Sequence, residues 1–266
     1  MKIAAVQMVS APDVDRNLVA ADRLVSEAAA AGAQLVALPE YFCFMGLNER
    51  DKLAIAEVPG RGPIQSFLAA QARMHRIWVI GGTVPLRCKD ERRARNACCV
   101  YAPDGQLAAR YDKLHLFRYR NDAGEDHDEG RVLEAGDKPA TAQVEDWRTG
   151  LSICYDLRFP ELYRSMMTPP CDLLSVPAAF THTTGRAHWE LLLRARAVEN
   201  QCYVIAPAQG GKHENGRRTW GHSMVVDPWG DVLALCEEGE GLAMAEVDKG
   251  LIAAVRQQLP ALTHRR

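Results

Sequence analysis

No stretch of this 266-residue chain stays apolar long enough to cross a bilayer. The longest runs, such as Cys202-Tyr-Val-Ile-Ala-Pro-Ala208, fall far short of the roughly 20 residues a spanning helix needs. An excess of one charge sign is missing too. The 32 basic residues stand against 34 acidic ones, a net charge of -2, which leaves no electrostatic case for nucleic acid or an anionic membrane as partner. There are eight cysteines but no Cys-x-x-Cys pair, and the adjacent Cys98-Cys99 is poor geometry for a mutual disulfide. The eight histidines show neither His-Glu-x-x-His nor zinc-ribbon spacing, so a metal site is not expected and no cofactor is implied. The opening run Met1 to Met8 carries one positive charge and is interrupted by Gln7, so it reads as a first strand rather than a signal peptide. Reduced thiols in a cytoplasm follow as the expected state.

What is present resembles an average soluble enzyme, 47% hydrophobic and 25% charged. This length can bury a sizeable core, and no repeat or low-complexity linker divides residues 1–266, so one domain is expected. Strand-like and helix-like segments alternate. Asp15 can cap a helix running to about Ala31, with Leu18, Ala21, Leu24, Val25 and Ala28 on one stripe. Gln34 to Leu38 reads as a strand ended by Pro39, Pro63 to Arg76 as a helix, and Trp78 to Gly82 as a strand. Arg95 to Tyr101 and Leu107 to Tyr111 suit a hairpin across Pro103-Asp104-Gly105. Arg118 to Glu134, charged and glycine-containing, reads as a long loop. Further strands are expected at Thr141 to Val144, Leu151 to Ile153, Leu173 to Val176, Cys202 to Ala206, Ser223 to Val226, Val232 to Cys236 and Leu242 to Val247. A helix from His188 to Asn200 places Trp189, Leu191, Leu192 and Ala195 as core or dimer contacts. Such alternation implies a layered α/β fold.

The most informative run surrounds Cys154. A short strand-like stretch, Gly150-Leu-Ser-Ile153, stops on the cysteine, and a helix-like segment with Leu157, Leu162 and Met166 follows. A sulfur on such a turn can attack a carbonyl, while N–H groups opening a helix can hold a thiolate and the oxyanion it generates. Alone, the same cysteine reads equally as a small buried hydrophobe. Hydrolysing an amide through a thiol also needs a group that moves the proton and one that holds the oxyanion. Leu38-Pro39-Glu40-Tyr41 puts a carboxylate just past one strand, and Tyr111-Asp112-Lys113-Leu-His115 puts a lysine just past another. Singly, Glu40 reads as a loop carboxylate and Lys113 as a solvated surface lysine. Three strand ends that each deliver one member of a Glu, Lys, Cys set point to a single site, because α/β sheets collect their sites at strand ends.

These blocks resemble the nitrilase (carbon-nitrogen hydrolase) superfamily. Ala37-Leu-Pro-Glu40-Tyr, Tyr111-Asp-Lys113-Leu-His-Leu-Phe and Cys154-Tyr-Asp-Leu-Arg-Phe-Pro-Glu-Leu-Tyr carry the likeness. It continues through Pro177-Ala-Ala-Phe180-Thr, the run Ala187 to Asn200, and Gly221-His-Ser-Met-Val-Val-Asp-Pro-Trp-Gly230. The fold this implies is a four-layer α-β-β-α sandwich, generally paired into homodimers or larger homo-oligomers. The chemistry implied makes Glu40 the general base and Lys113 the stabiliser of the oxyanion, helped by the Tyr155 N–H. Cys154 becomes the nucleophile that forms a thioester with release of ammonia. Glu129, in His127-Asp-Glu129-Gly-Arg131, stands where the family places a supporting glutamate, although the loop Arg118 to Asp128 departs from the family pattern. Its plainer reading is a solvated acidic loop.

Within the superfamily the chain looks closest to the deaminated glutathione amidase branch, with ω-amidase, which acts on 2-oxoglutaramate, as the nearest competitor. Both substrates are small molecules pairing an α-keto acid end with an amide. Arg158, with its planar fork, either binds a substrate carboxylate or anchors Glu161 or the acidic loop. Phe180 and Thr181 are expected to contact substrate, and the basic segment Lys212 to Arg218 is expected to add cationic groups for a larger one. His115 reads as structural. A papain-like Cys-His pair would need His182 or His222 and would leave Glu40 and Lys113 idle. A non-catalytic scaffold would be marked by loss of one of the three residues, and all three are present.

Overall fold

The computed structural model describes residues 1–120 and 126–265. Six strands come first: β1 (Lys2–Gln7), β2 (Leu35–Ala37), β3 (Trp78–Ile80), β4 (Val84–Arg87), β5 (Ala94–Tyr101) and β6 (Leu107–Asp112). A short antiparallel pair, β7 (Arg118–Arg120) and β8 (Asp126–Asp128), follows. Then come β9 (Ala140–Val144), β10 (Trp147–Leu151), β11 (Leu173–Ser175), β12 (Tyr203–Ala206), β13 (Ser223–Val226), β14 (Val232–Cys236) and β15 (Gly241–Glu246). The helices are α1 (Val14–Ala30), α2 (Asp51–Ala54), α3 (Pro63–His75), α4 (Pro160–Ser165), α5 (His182–Asn200) and α6 (Lys249–Gln258).

Two sheets stack face to face. The first has the order β15-β1-β2-β3-β5-β4 with β6 on β5, and the second runs β14-β13-β12-β11-β10-β9. Side-chain alternation produces the layers. In β1, Ile3 and Ala5 enter the core shared by the sheets, whereas Ala4 and Val6 enter the core beneath α1 and α3. Leu35 and Ala37 of β2 alternate with Val36 in the same way. On the second sheet, Trp189, Leu193 and Ala197 of α5 and Leu162 of α4 close the outer side. This is the α-β-β-α sandwich of the nitrilase type. Strands buried on both faces read as continuous apolar runs, which is why they were visible in the sequence.

Some elements depart from the sequence reading. Asp13, not Asp15, caps α1, accepting the Arg16 N–H at 3.0 Å. Strand β4 and helix α2 are too short to leave a periodic pattern, and α6, which buries Ile252 and Val255, is a further helix absent from the sequence reading. Helix α5 starts at His182 because the Thr181 hydroxyl caps it, and Leu191 on its outer face is 67% exposed rather than core. The segment Arg118 to Glu134 holds β7, β8 and a one-turn helix over Glu129–Arg131 instead of a plain loop; residues 121–125 within it, and Arg266, lie outside the described residues. Strand β10 stops at Leu151, three residues before Cys154, and the cysteine opens a one-turn 3-10 helix (Cys154–Arg158) before Pro160 starts α4.

Glu40 follows the end of β2, and its backbone path depends on Gly82. That residue has φ +50°, and a Cβ there would lie 2.1 Å from the Pro39 carbonyl oxygen. Backbone cannot retreat as a flexible side chain can, so Gly82→Ala is expected to lower unfolding free energy by about 1–3 kcal/mol, the usual cost of forced overpacking. Denaturant titration checks this; a variant as stable as the parent would show that the Pro39–Glu40 path is not so constrained.

Candidate active site

The first sheet delivers two of the expected residues and the second sheet the third. Glu40 lies three residues past β2, Lys113 directly follows β6, and Cys154 lies three residues past β10. The Lys113 backbone is pinned from both sides: its N–H donates to Asn96 O at 3.0 Å and its carbonyl accepts from Gly136 N at 2.8 Å. Tyr41 and Cys154 take positive φ, 57° and 48°, a conformation that costs a non-glycine residue about 1–3 kcal/mol and persists only where surrounding structure enforces it. At Cys154 the N–H donates to Pro177 O at 2.9 Å.

A chain of charge-assisted bonds fills the base of the site. Lys113, 1% exposed, places Nζ 2.8 Å from Glu40 Oε1 and 2.9 Å from Glu129 Oε2. Glu40 also accepts from Asn96 Nδ2 at 2.9 Å and, through Oε2, from the Ala179 N–H at 3.0 Å. Glu129 accepts the Tyr41 hydroxyl at 2.6 Å and the Phe117 N–H at 2.7 Å. It is therefore a buried partner of Lys113, which excludes the solvated-loop reading. Burial alone would lower the Lys113 pKa, but Glu129 and Glu40 hold it well above the ordinary lysine range. Burial likewise opposes the Glu129 carboxylate, and Lys113 followed by Lys52 overcomes this and brings it down to about 2.

Cys154 behaves oppositely. Burial pushes its thiol well above the ordinary range, the Glu40 charge adds to this, and Lys113 only partly offsets it. The helix that opens at Cys154 is a single 3-10 turn rather than an α-helix, and burial together with the Glu40 charge disfavours an anion on the sulfur.

Asp156, fully buried, ties the two sheets together at this point. It accepts from Ile153 N at 2.9 Å, Tyr111 Oη at 2.7 Å, and His115 N and Nδ1 at 3.0 and 2.7 Å. His115 is structural, as read, and stacks on Phe159 at 3.7 Å.

A cleft opens over Cys154, lined by Glu40, Tyr41, Phe117, Glu129, Tyr155 and Arg158 together with Phe180, Thr181, Thr184 and Arg217. Arg158 lies over the Phe180 and Tyr155 rings, at 5.2 and 5.9 Å from their centroids, and touches His188 Nδ1 at 3.2 Å; this places it on the cleft wall. Phe180 and Thr181 line the cleft, and the Tyr155 ring stands edge-on to Phe117 at 5.2 Å. Of the basic segment, Arg217 reaches the cleft, but Arg218 turns away to Glu238 at 2.7 Å. His182 and His222 flank Trp220 and do not line the cleft, so a Cys-His pair has no geometric support. Among the described residues no cluster of three His, Cys, Asp or Glu side chains is arranged to hold a metal, and no helix is long and apolar enough to cross a membrane. Asn96, Tyr41, Lys52 and Thr184 were not singled out from sequence. Only Tyr41 carried a signal, its place beside Glu40.

A thiol and a carboxylate lining one cleft, with a buried ammonium paired to that carboxylate beneath it, are the parts a carbon-nitrogen hydrolase needs. The family model for carbon-nitrogen hydrolase matches residues 2–257. The chain belongs to the carbon-nitrogen hydrolase family and is an amidase by class. It is 45% identical over 265 residues to a deaminated glutathione amidase of Synechocystis sp., covering 98% of this chain and 97% of that one. It is 37% identical to an omega-amidase of Homo sapiens, covering 100% of this chain and 95% of the relative. The crystal structure of the Caenorhabditis elegans NitFhit protein superposes with a TM-score of 0.92 at 40% identity, and the chain spans 65% of that longer protein.

The Glu129 carboxylate generates a pH dependence. Its folded value near 2 lies below the ordinary 4.5, so it contributes stability that is fully present above 4.5 and is lost as pH falls from there toward 2. Glu129→Gln is therefore expected to be less stable at neutral pH and to show a shallower acid decline than the parent, by denaturant titration at stepped pH. Parallel acid limbs in the two proteins would contradict the assignment.

Proposed function

We propose that this amidase hydrolyses the amide of an α-keto acid, with deaminated glutathione as its substrate, through a thioester on Cys154. The observation that carries the reading is the Glu40–Lys113–Glu129 cluster buried against Cys154, under a cleft walled by two arginines. Glu40 takes the Sγ proton as sulfur attacks the carbonyl carbon. The oxyanion is held by Lys113 Nζ and the Tyr155 N–H. The C–N bond breaks as Glu40 passes the proton to the departing nitrogen, which leaves as ammonia from a primary amide or as a peptidyl amine from deaminated glutathione. Water, deprotonated by Glu40, then attacks the thioester and releases the acid while the sulfur regains a proton.

Arg158 and Arg217 favour an anionic substrate, since a guanidinium fork suits a carboxylate. Two separated cations fit the longer substrate better than 2-oxoglutaramate, the second reading, which the omega-amidase relative keeps in view. Phe180 and Thr181 complete the substrate-contacting wall. Balanced charge and unpaired cysteines support action in a cytoplasm, without nucleic acid or membrane as partner. Leu191 and Trp229, 67% and 56% exposed, support a homodimer or larger homo-oligomer.

The test is kcat/KM by mass spectrometry of products across deaminated glutathione, 2-oxoglutaramate, N-carbamoyl amino acids and simple nitriles. Deaminated glutathione is expected to lead. Cys154→Ala should be inactive, and Glu40→Gln and Lys113→Ala should each lose at least ~10²-fold. Arg158→Gln should weaken both keto-acid amides by about 1.5–3 kcal/mol, and Arg217→Gln only the larger. A preference for 2-oxoglutaramate or a nitrile would overturn the substrate, and an active Cys154→Ala would overturn the mechanism.

A further inference from the structure

One buried cation beside the site has no part in the reaction as written. Lys52 sits in α2 with its side chain 8% exposed and does not line the cleft. Its ammonium lies 4.4 Å from the Tyr41 ring centroid, 3.3 Å from the Tyr41 hydroxyl and 2.5 Å from Glu49 Oε2. An ammonium only donates, so the Tyr41 oxygen accepts from Lys52 and sends its own proton to Glu129 Oε1 at 2.6 Å. A continuous line of polar contacts thus runs from Lys52 through Tyr41 and Glu129 to Lys113.

We propose that Lys52 is a positioning residue which, acting through Tyr41, keeps Glu129 fixed against Lys113, so that the Lys113 ammonium stays aimed at the oxyanion. The Glu49 pair is local to the turn before α2, whereas the Tyr41 contact links Lys52 to the residue beside Glu40. The charges around Glu129 agree. Glu40 and Glu49 face it as anions, Lys113 and Lys52 as cations, and Phe117 gives an N–H. On its own turn, Asp128 and Arg131 meet each other at 4.0 Å, and Arg217 meets Glu49 at 3.5 Å. Without Lys52, Glu129 loses one of its two cationic neighbours and keeps only Lys113, which Glu40 also claims. Glu129 then takes up a proton at higher pH, and Lys113 is held from the Glu40 side alone.

This inference rests on reading Glu129 and Lys113 as part of the reacting centre, and Glu129→Gln tests that reading in the same series. The experiment is kcat and KM against pH for the full-length enzyme with its best amide substrate. Lys52→Met is expected to lower kcat by about 10-fold or more with KM within about twofold, and to move the acid limb of kcat to higher pH. Lys52→Arg should recover most of kcat. Tyr41→Phe should show the same limb shift, and the double variant Lys52→Met/Tyr41→Phe should lose no more than Tyr41→Phe alone, because the influence passes through the hydroxyl. An unchanged kcat and acid limb in Lys52→Met, with Glu129→Gln impaired, would overturn the positioning role alone. Parent-like kcat in Glu129→Gln would overturn the reading of the centre. Should Lys52→Met fail to fold, an unmoved acid limb in Tyr41→Phe overturns the proposal by itself.

Discussion

Lys113 is an ammonium with almost no contact with water, and the surrounding structure is arranged to make that tolerable. A buried charge is stable only when paired and hydrogen-bonded, and breaking such a pair from one side costs about 3–5 kcal/mol. Glu40 from the end of β2 and Glu129 from the turn after β8 supply the pairing, so the first sheet and the β7–β8 segment must meet at one point. Asn96, Gly136 and the Ala179 N–H fix the remaining freedom. Asp156 then joins the Lys113 strand to the Cys154 turn, which aligns the two sheets at the reacting atoms.

The second consequence concerns charge. Two carboxylates already claim the lysine, and burial penalises an anion on sulfur, so Lys113 only partly offsets what disfavours a thiolate at Cys154. On the proposed mechanism attack and deprotonation are thereby linked, with Glu40, anchored by Asn96 and Ala179, moving the proton. The positive φ at Cys154 and Tyr41 shows where stability has been given up to set this geometry.

Much of this was legible before any coordinates. The apolar runs of β1, β2, β12 and β13 and the stripe of α1 follow from burial on one or both faces, a pattern sequence carries directly. Glu40, Lys113 and Cys154 were legible because each stands at a strand end within a distinctive block. Illegible were the groups whose role depends on long-range approach. Asn96 looks like any polar residue of a hairpin strand, and Lys52 like a surface lysine, until folding brings them to Glu40 and Tyr41. Arg217 and Arg218 are neighbours in sequence, yet only Arg217 faces the cleft, because the short bridge between Lys212 and Arg218 turns Arg218 toward Glu238. The helix-like segment after Cys154 divides into a 3-10 turn carrying Leu157 and α4 carrying Leu162, a break that the apolar spacing does not show.

The state of the sulfur tests the central claim most directly. Thiolate absorbs in the ultraviolet where thiol does not, so the difference spectrum between the parent and Cys154→Ala, titrated from neutral to alkaline pH, reports Cys154. The account predicts no thiolate signal at neutral pH, with any appearing only well above the ordinary cysteine range. A full thiolate signal at neutral pH would mean that Lys113 serves the sulfur before it serves Glu40 and Glu129, and would contradict the account.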